Sequence, residues 1–211
     1  MNKIVLLTGF SPFGGSNINP SYEACKMLDE KSINGYKIVA AEIKLEYMTI
    51  KPSIEKLLDQ YQPMVAICTG QSGRAKISIE RVAINIADST MAYNCGYKPQ
   101  DEPLEPDGPV GYFSTLPIKK ILQNLKKNKI PVEISNSAGT FGCNQLFYHL
   151  MHHINQKGYN TLAGFIHVPS APEQVVEKNL PSMCIELSAK ASRIAIETTI
   201  NEIEQMKSGN L

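Results

Sequence analysis

The order of apolar and polar positions divides the chain into short strand-like and helix-like segments that alternate. Strand-like apolar runs cover Lys3 to Thr8, Tyr36 to Ile43, Met64 to Cys68, Val132 to Ser135 and Leu162 to Val168. Between them, apolar residues recur at three-to-four spacing. The helices predicted this way are Ser21 to Leu28 after Pro20, Thr49 to Gln60 with Ile50, Ile54, Leu57 and Leu58 inward, Pro117 to Asn128, and Gln145 to Gln156 with Leu146, Phe147, Leu150, Met151 and Ile154 inward. After Pro172 the pattern predicts helix to about Met206, broken at Pro181, with an amphipathic run from Ile185 to Ile203. Strands and helices joined by short connections imply right-handed crossovers and an α/β fold. With no repeat and no linker, we expect residues 1–211 to form a single three-layer α/β/α domain around a twisted, largely parallel (mixed) sheet.

Two segments stand out from this pattern. Ile79 to Ala87 alternates, with Val82, Ile84 and Ile86 on one face and Arg81, Ala83 and Asn85 on the other. Glu80 falls on the apolar face, where a carboxylate is costly without a partner, so a histidine or arginine should meet it. Asp88 to Leu116 is a long connection of the kind that forms functional lids, and Tyr112-Phe113 should dock its far end.

Composition narrows the classes of function. A net charge of +1, with no lysine-rich stripe interleaved with aromatics, speaks against nucleic acid as a partner. No apolar run approaches the ~18 residues that indicate a membrane span, and Ile4 to Leu7 is too short for a signal-peptide core. Five scattered cysteines, Cys25, Cys68, Cys95, Cys143 and Cys184, form no CxxC pair, which argues against a disulfide framework or zinc knuckle and for a reducing, cytoplasmic setting. Of these, Cys68 reads as strand core, Cys25 and Cys184 as helical, and Cys95 as loop.

The chemistry centres on Asn136 to Asn144. A strand, a small-residue turn and a helix place Cys143 at a helix entrance, where free N–H groups and the positive dipole end favour a thiolate. A buried space-filling thiol is the competing reading. Ligands of parallel α/β sheets bind beyond the carboxyl ends of the strands. The segments Thr8-Gly9-Phe10, Thr69-Gly70-Gln71, Asn136-Ser137-Ala138 and His167-Val168-Pro169-Ser170 should therefore share a rim, bringing His167 to Cys143 as general base and acid, with Glu80 to hold its tautomer.

Rival readings are weaker. Ser137 and Thr140 lack the G-x-S-x-G elbow and read as caps of the following helix. His149 and His153 share a helix face, as zinc ligands can, but lack the HExxH glutamate and a third ligand, so a polar helix face is the default and no metal is expected. Gly9 to Gly15 lacks the Lys-Ser/Thr ending of a P-loop, and its prolines remove donors. Phe10 and Phe13 on that loop point instead to something flat and apolar.

Long blocks across nearly the whole chain resemble the type I pyroglutamyl peptidases, or pyrrolidone-carboxylate peptidases. These are Gly9 to Gly15 with Asn19-Pro20-Ser21, Gly70-Gln71 with Glu80 to Asn85, Asp101 to Pro103 with Pro106 to Pro109, Tyr112 to Ile118, Ser135 to Tyr148, and Gly164 to Pro169 with Pro172-Glu173-Gln174. The resemblance implies Cys143 as nucleophile, His167 as general base and Glu80 as third member, and a substrate pocket from Phe10, Phe13 and the Gln71 backbone, with Phe141 nearby. It implies hydrolysis of the amide after an N-terminal pyroglutamyl residue in a cytosolic, cofactor-free enzyme, commonly a homotetramer. Three departures are visible. Gly70-Gln71-Ser72-Gly73-Arg74 is one residue shorter than G-Q-A-G-G-R; Thr90 to Asn94 stands where an arginine and Ile-Pro-Asp-Asn are frequent; Gly142 replaces a valine. Two further readings stay open here: a nucleoside-phosphorylase-like enzyme binding phosphate and ribosyl groups, and a homologue that binds pyroglutamyl peptides without cleaving them.

Overall fold

A computed structural model describes residues 3–209. In chain order the elements are β1 (Ile4–Phe10), α1 (Pro20–Lys26), β2 (Ser32–Ile33), β3 (Tyr36–Ile43), α2 (Tyr47–Tyr61), β4 (Val65–Ser72), β5 (Ile77–Glu80), β6 (Val82–Ile84), β7 (Gly111–Phe113), α3 (Ile118–Lys127), β8 (Val132–Ser135), α4 (Gly142–Lys157), β9 (Leu162–Pro169) and α5 (Ile185–Lys207). Seven strands make one sheet in the order β2-β3-β1-β4-β9-β5-β8, while β6 and β7 form a separate ribbon. β3, β1, β4 and β9 are parallel to one another, whereas β5 pairs antiparallel to β9 and parallel to β8.

Alternation along the strands sends neighbouring side chains to opposite faces of the sheet. Val5, Leu7, Ile67, Ile79 and Ile166 join α1, α3 and α5 in one apolar cluster. Leu6, Ala66, Cys68 and Phe165 join α2 and α4 in the other. The result is a three-layer α/β/α arrangement with a mixed sheet. Helix α4 is held by Leu146, Phe147 and Leu150, all fully buried, and each such side chain stabilises the fold by about 1.5–3 kcal/mol.

Four features differ from expectation. The strand predicted for Ile79 to Ala87 breaks at Arg81: β5 ends at Glu80, and β6 leaves the sheet to pair with β7. Breaking there reverses the later faces, so Ala83 is buried while Val82 and Ile84 are half-buried. The Asp88 to Leu116 connection contains β7; Tyr112 docks on α4 with its hydroxyl 2.9 Å from His152 Nδ1, but Phe113 stays largely exposed. Residues after Pro172 form only a 3-10 turn, Pro172–Gln174, and the long helix starts at Ile185. Pro172 and Pro181 lack N–H donors, and a bridge between Ser170 and Ser182 ties off the stretch that contains them. Finally, the short strand β2 is an addition. Its signal is Asn34-Gly35, whose φ angles of 51° and 79° make the tight turn into β3.

Candidate active site

Three strands direct one residue each toward α4. On β4, Cys68 packs in the α4-side core, so Gly70 faces the same way; on β9, Phe165 does, so His167 does too. On β5, Ile77 and Ile79 belong to the opposite core, which turns Glu80 to the α4 side. Because β5 is antiparallel, with Ser78 opposite His167, Glu80 returns along β9 and lies inside the sheet. Its carboxylate is fully buried and Oε1 stands 2.7 Å from His167 Nδ1. Arg74 Nη1 reaches the same oxygen at 2.8 Å. The inward acid therefore has both kinds of partner that its burial demands. The expected common rim needs correction, because β8 runs with β5 against β9 and pairs Ser135 with Glu80, so it ends level with the middle of β9, across β5, and away from the rim. The loop after Ser135, and not the strand end, carries the chain to α4.

Helix α4 begins at Gly142, three residues before the predicted start, with Cys143 in its first turn. A side chain on Gly142 would strike Leu45, so the leucine occupies space that a larger residue here would need. The sulfur lies against bare backbone: a Cβ on Gly70 would stand 2.6 Å from Cys143 Sγ. Asn144 pins the helix by accepting from Ile84 N at 2.9 Å and donating to the carbonyls of Ile84 and Ile86 at 2.9 and 3.0 Å. Gln145 donates to Tyr47 O at 2.8 Å. Ser137 and Thr140 do not cap the helix as expected. Thr140 Oγ1 donates to Asp88 O at 2.7 Å, Ser137 Oγ accepts from Gly139 N at 3.2 Å, and the capping position, Phe141, supplies no side-chain acceptor. An uncapped helix entrance offers its N–H groups to an incoming oxyanion.

Cys143 is half-buried, and its sulfur lies against Gly70, which pairs with His167 on the neighbouring strand, so sulfur and imidazole sit on adjacent positions of the sheet. Burial by itself would push that imidazole down, but the Cys143 sulfur and then Glu80 outweigh it and raise it to about 9. The pair is thereby arranged as imidazolium beside sulfur at neutral pH. Cys25 and Cys68 are different: burial pushes both thiols up to about 12, as expected for inert core residues. Cys95 is exposed, and so is Cys184, which precedes α5 and does not lie within a helix.

Beside Cys143 lies a cavity of about 70 Å³ lined by Phe10, Phe13, Gln71 and Phe141. All four residues expected at a substrate pocket thus line one cavity together with Cys143. Phe10 sits at the end of β1, which runs two residues past its predicted end and bonds from Phe10 N to Ser21 Oγ at 3.0 Å. The Gln71 side chain is engaged outward, donating to Ser170 Oγ at 3.0 Å. Met91, from the segment that departs from the family pattern, closes the cavity, and Tyr93 packs its ring 4.4 Å from that of Phe141. That segment contributes apolar walls here. A second cavity of about 520 Å³ shares Phe13 and Gln71 with the first.

The polar helix face expected for His149 and His153 is not observed; both are buried. His153 Nε2 lies 2.7 Å from Asp59 Oδ1, and His149 Nδ1 lies 3.3 Å from Glu105 Oε1 without hydrogen-bond geometry. Among the described residues, no group of three or more His, Cys, Asp or Glu side chains could hold a metal ion. Sequence reasoning overlooked Arg74, Leu45 and Asn144. Arg74 had a signal, the demand of Glu80 for a partner, whereas the other two depend on tertiary contact.

The profile of the family described as pyroglutamyl peptidase matches residues 3–202. The pyrrolidone-carboxylate peptidase of Bacillus licheniformis is 47% identical over 196 residues, 92% of this chain and 91% of that protein. That of Thermosipho melanesiensis is 48% identical over 200 residues, 94% and 98% of the two chains. Among solved structures, a mutant pyrrolidone carboxyl peptidase from the hyperthermophile Pyrococcus furiosus superposes with a TM-score of 0.92 at 42% identity, covering 95% of this chain and 99% of that one. Pyroglutamyl peptidase I from Bacillus amyloliquefaciens gives a TM-score of 0.91 at 40% identity, covering 94% and 95%. Matched along nearly its whole length in both sequence and backbone, this chain belongs to the pyroglutamyl peptidase family.

Proposed function

We propose that the protein is a cysteine peptidase that hydrolyses the amide bond after an N-terminal pyroglutamyl residue, with Cys143, His167 and Glu80 as its catalytic triad. The observation that carries the reading is His167 held by the Glu80 carboxylate at 2.7 Å on the strand position that pairs with Gly70, against which the Cys143 sulfur rests. Glu80 holds the Nδ1 proton, which leaves Nε2 to serve the sulfur. The Cys143 thiolate adds to the scissile carbonyl while the N–H groups at the α4 entrance receive the oxyanion. His167 then gives its proton to the departing amine, leaving a thioester. A water molecule, losing a proton to His167, attacks the thioester and releases pyroglutamate and the thiol.

The pocket suits this substrate. A pyroglutamyl group has no free α-amine, so a carboxylate clamp would gain nothing. Phe10, Phe13 and Phe141 offer flat apolar surface to a lactam ring, and backbone groups near Gln71 are available to its amide. Family membership sets aside a nucleoside-phosphorylase-like reading, in which the Gly9 to Gly15 loop would hold phosphate.

Turnover of a pyroglutamyl-anilide reporter tests the proposal and separates an enzyme from a binder without activity. Wild type should cleave it without phosphate and lose activity on alkylation, whereas Cys143→Ala should fold and fail to turn over. Near-normal activity in that variant would remove Cys143 from the mechanism.

We also take the chain to be one catalytic domain that acts in the cytoplasm as a homotetramer. Support for self-association comes from the β6–β7 ribbon and its approach, where Val110, just before β7, is 88% and Phe113 71% exposed. For location the support is chemical: the thiols are all free, and no helix among the described residues is long and apolar enough to cross a membrane. Light scattering on purified protein measures the assembly.

A further inference from the structure

The mechanism above leaves one charged side chain at the centre without a role. Arg74, on the turn between β4 and β5, places Nη1 2.8 Å from Glu80 Oε1, the same oxygen that meets His167 Nδ1 at 2.7 Å. Its Nη2 donates to Ser137 O at 3.1 Å, in the loop that leads to α4. The other oxygen of Glu80, Oε2, is buried with no hydrogen-bond partner. Two donors converging on one oxygen therefore set the carboxylate plane, since nothing holds the second oxygen. A planar guanidinium can reach an acid and a carbonyl at once, which an ammonium cannot do with the same directionality.

We propose that Arg74 is a positioning residue of the catalytic centre: it fixes the Glu80 carboxylate and, as a second cation on the same oxygen, loosens its hold on protonated His167. A carboxylate bound to the imidazolium alone would grip the proton that must pass to the departing amine. Sharing the oxygen with Arg74 weakens that grip and keeps Nδ1 oriented. The charged and titratable groups that face this cluster are Cys143 from α4, Glu80 from β5 and Arg74 itself. Arg81 turns away to Asn136 Oδ1 at 2.8 Å, and Glu133 turns to Ser78 and Lys76.

This inference rests on the peptidase reading, and one set of measurements separates the two. The kinetics of the pyroglutamyl-anilide reporter are followed against pH for wild type, Arg74→Met and Arg74→Lys, with thermal unfolding as a folding check. Wild type without turnover sinks the peptidase reading itself. With wild type active, Arg74→Met should lose about tenfold in kcat with KM within about twofold. Its alkaline limb should move up by roughly 0.5 to 1 pH unit, because a partly exposed cation beside the imidazolium has been removed. Arg74→Lys should return that limb to the wild-type position and recover part of kcat. A loss of kcat with the limb unmoved in Arg74→Met would mean a merely structural residue and overturn the proposal, as would unchanged kinetics. Should Arg74→Met fail to fold, Arg74→Gln carries the same expectation.

Discussion

His167 Nδ1 and Glu80 Oε1 stand 2.7 Å apart although 87 residues separate them in the chain. The antiparallel pairing of β5 with β9 produces the contact, and complete burial of the carboxylate keeps water from competing for it. Because the imidazole is raised to about 9, it is protonated at neutral pH and loses its proton as pH rises through that value. Activity should therefore fall along an alkaline limb near that pH. Glu80→Gln removes the stabilising charge, so the limb should move to lower pH, with a loss of roughly 10- to 100-fold in kcat, less than in His167→Ala. PH profiles of reporter turnover check both points, and equal losses in the two variants would contradict the orienting role given to Glu80.

Gly70 is the floor on which the sulfur rests. An alanine there would bring Cβ to 2.6 Å from Cys143 Sγ and 2.9 Å from Phe165 Cζ, and one of them must shift. Displacing a reacting atom by about 1 Å costs on the order of 100-fold, so Gly70→Ala should retain about 1% of activity or less. Overpacking should also lower stability by about 1–3 kcal/mol, read from urea unfolding. Unchanged turnover in this variant would show that the reacting sulfur does not rest against Gly70.

Stability should fall in mild acid because of His149. Burial lowers its imidazole to about 4, with Glu105 opposing that shift and Lys51 and His152 adding to it. In the unfolded chain the group binds a proton near pH 6.5, whereas the native state resists it until about 4. Between those values the unfolded state holds more protons, so stability declines as pH falls, by up to about 3 kcal/mol. His149→Gln cannot titrate and should flatten the decline between pH 6.5 and 4.5. Urea unfolding at several pH values measures it, and an unaltered slope in the variant would assign the effect to other groups.

Much of the layer pattern was legible because burial writes itself locally. Alternation on β1 sorts Val5 and Leu7 from Leu6, and three-to-four spacing on α4 selects Leu146, Leu150 and Ile154. The reading failed where one period was carried through a bend. Treating Ile79 to Ala87 as a single strand put Val82 and Ile84 inside, whereas the break after Glu80 inverted the faces and buried Ala83. It failed again at His149 and His153, whose polar atoms meet Glu105 and Asp59 from distant segments. Polar side chains at helical spacing look solvated until their partners are known.

Residue chemistry and local periodicity, both properties of neighbours in the chain, were enough to nominate Cys143 at a helix entrance, an inward acid at Glu80 and aromatic residues at Phe10 and Phe13. Strand direction and pairing partners lie outside that local information, because they are chosen by contacts between segments scores of residues apart. Only the folded sheet decided that β5 runs against β9, that Glu80 therefore meets His167, and that Arg74 shares its oxygen. Likewise, the fit of Cys143 against Gly70 and of Gly142 against Leu45 is a matter of volume filled from several directions at once, which no single stretch of sequence specifies.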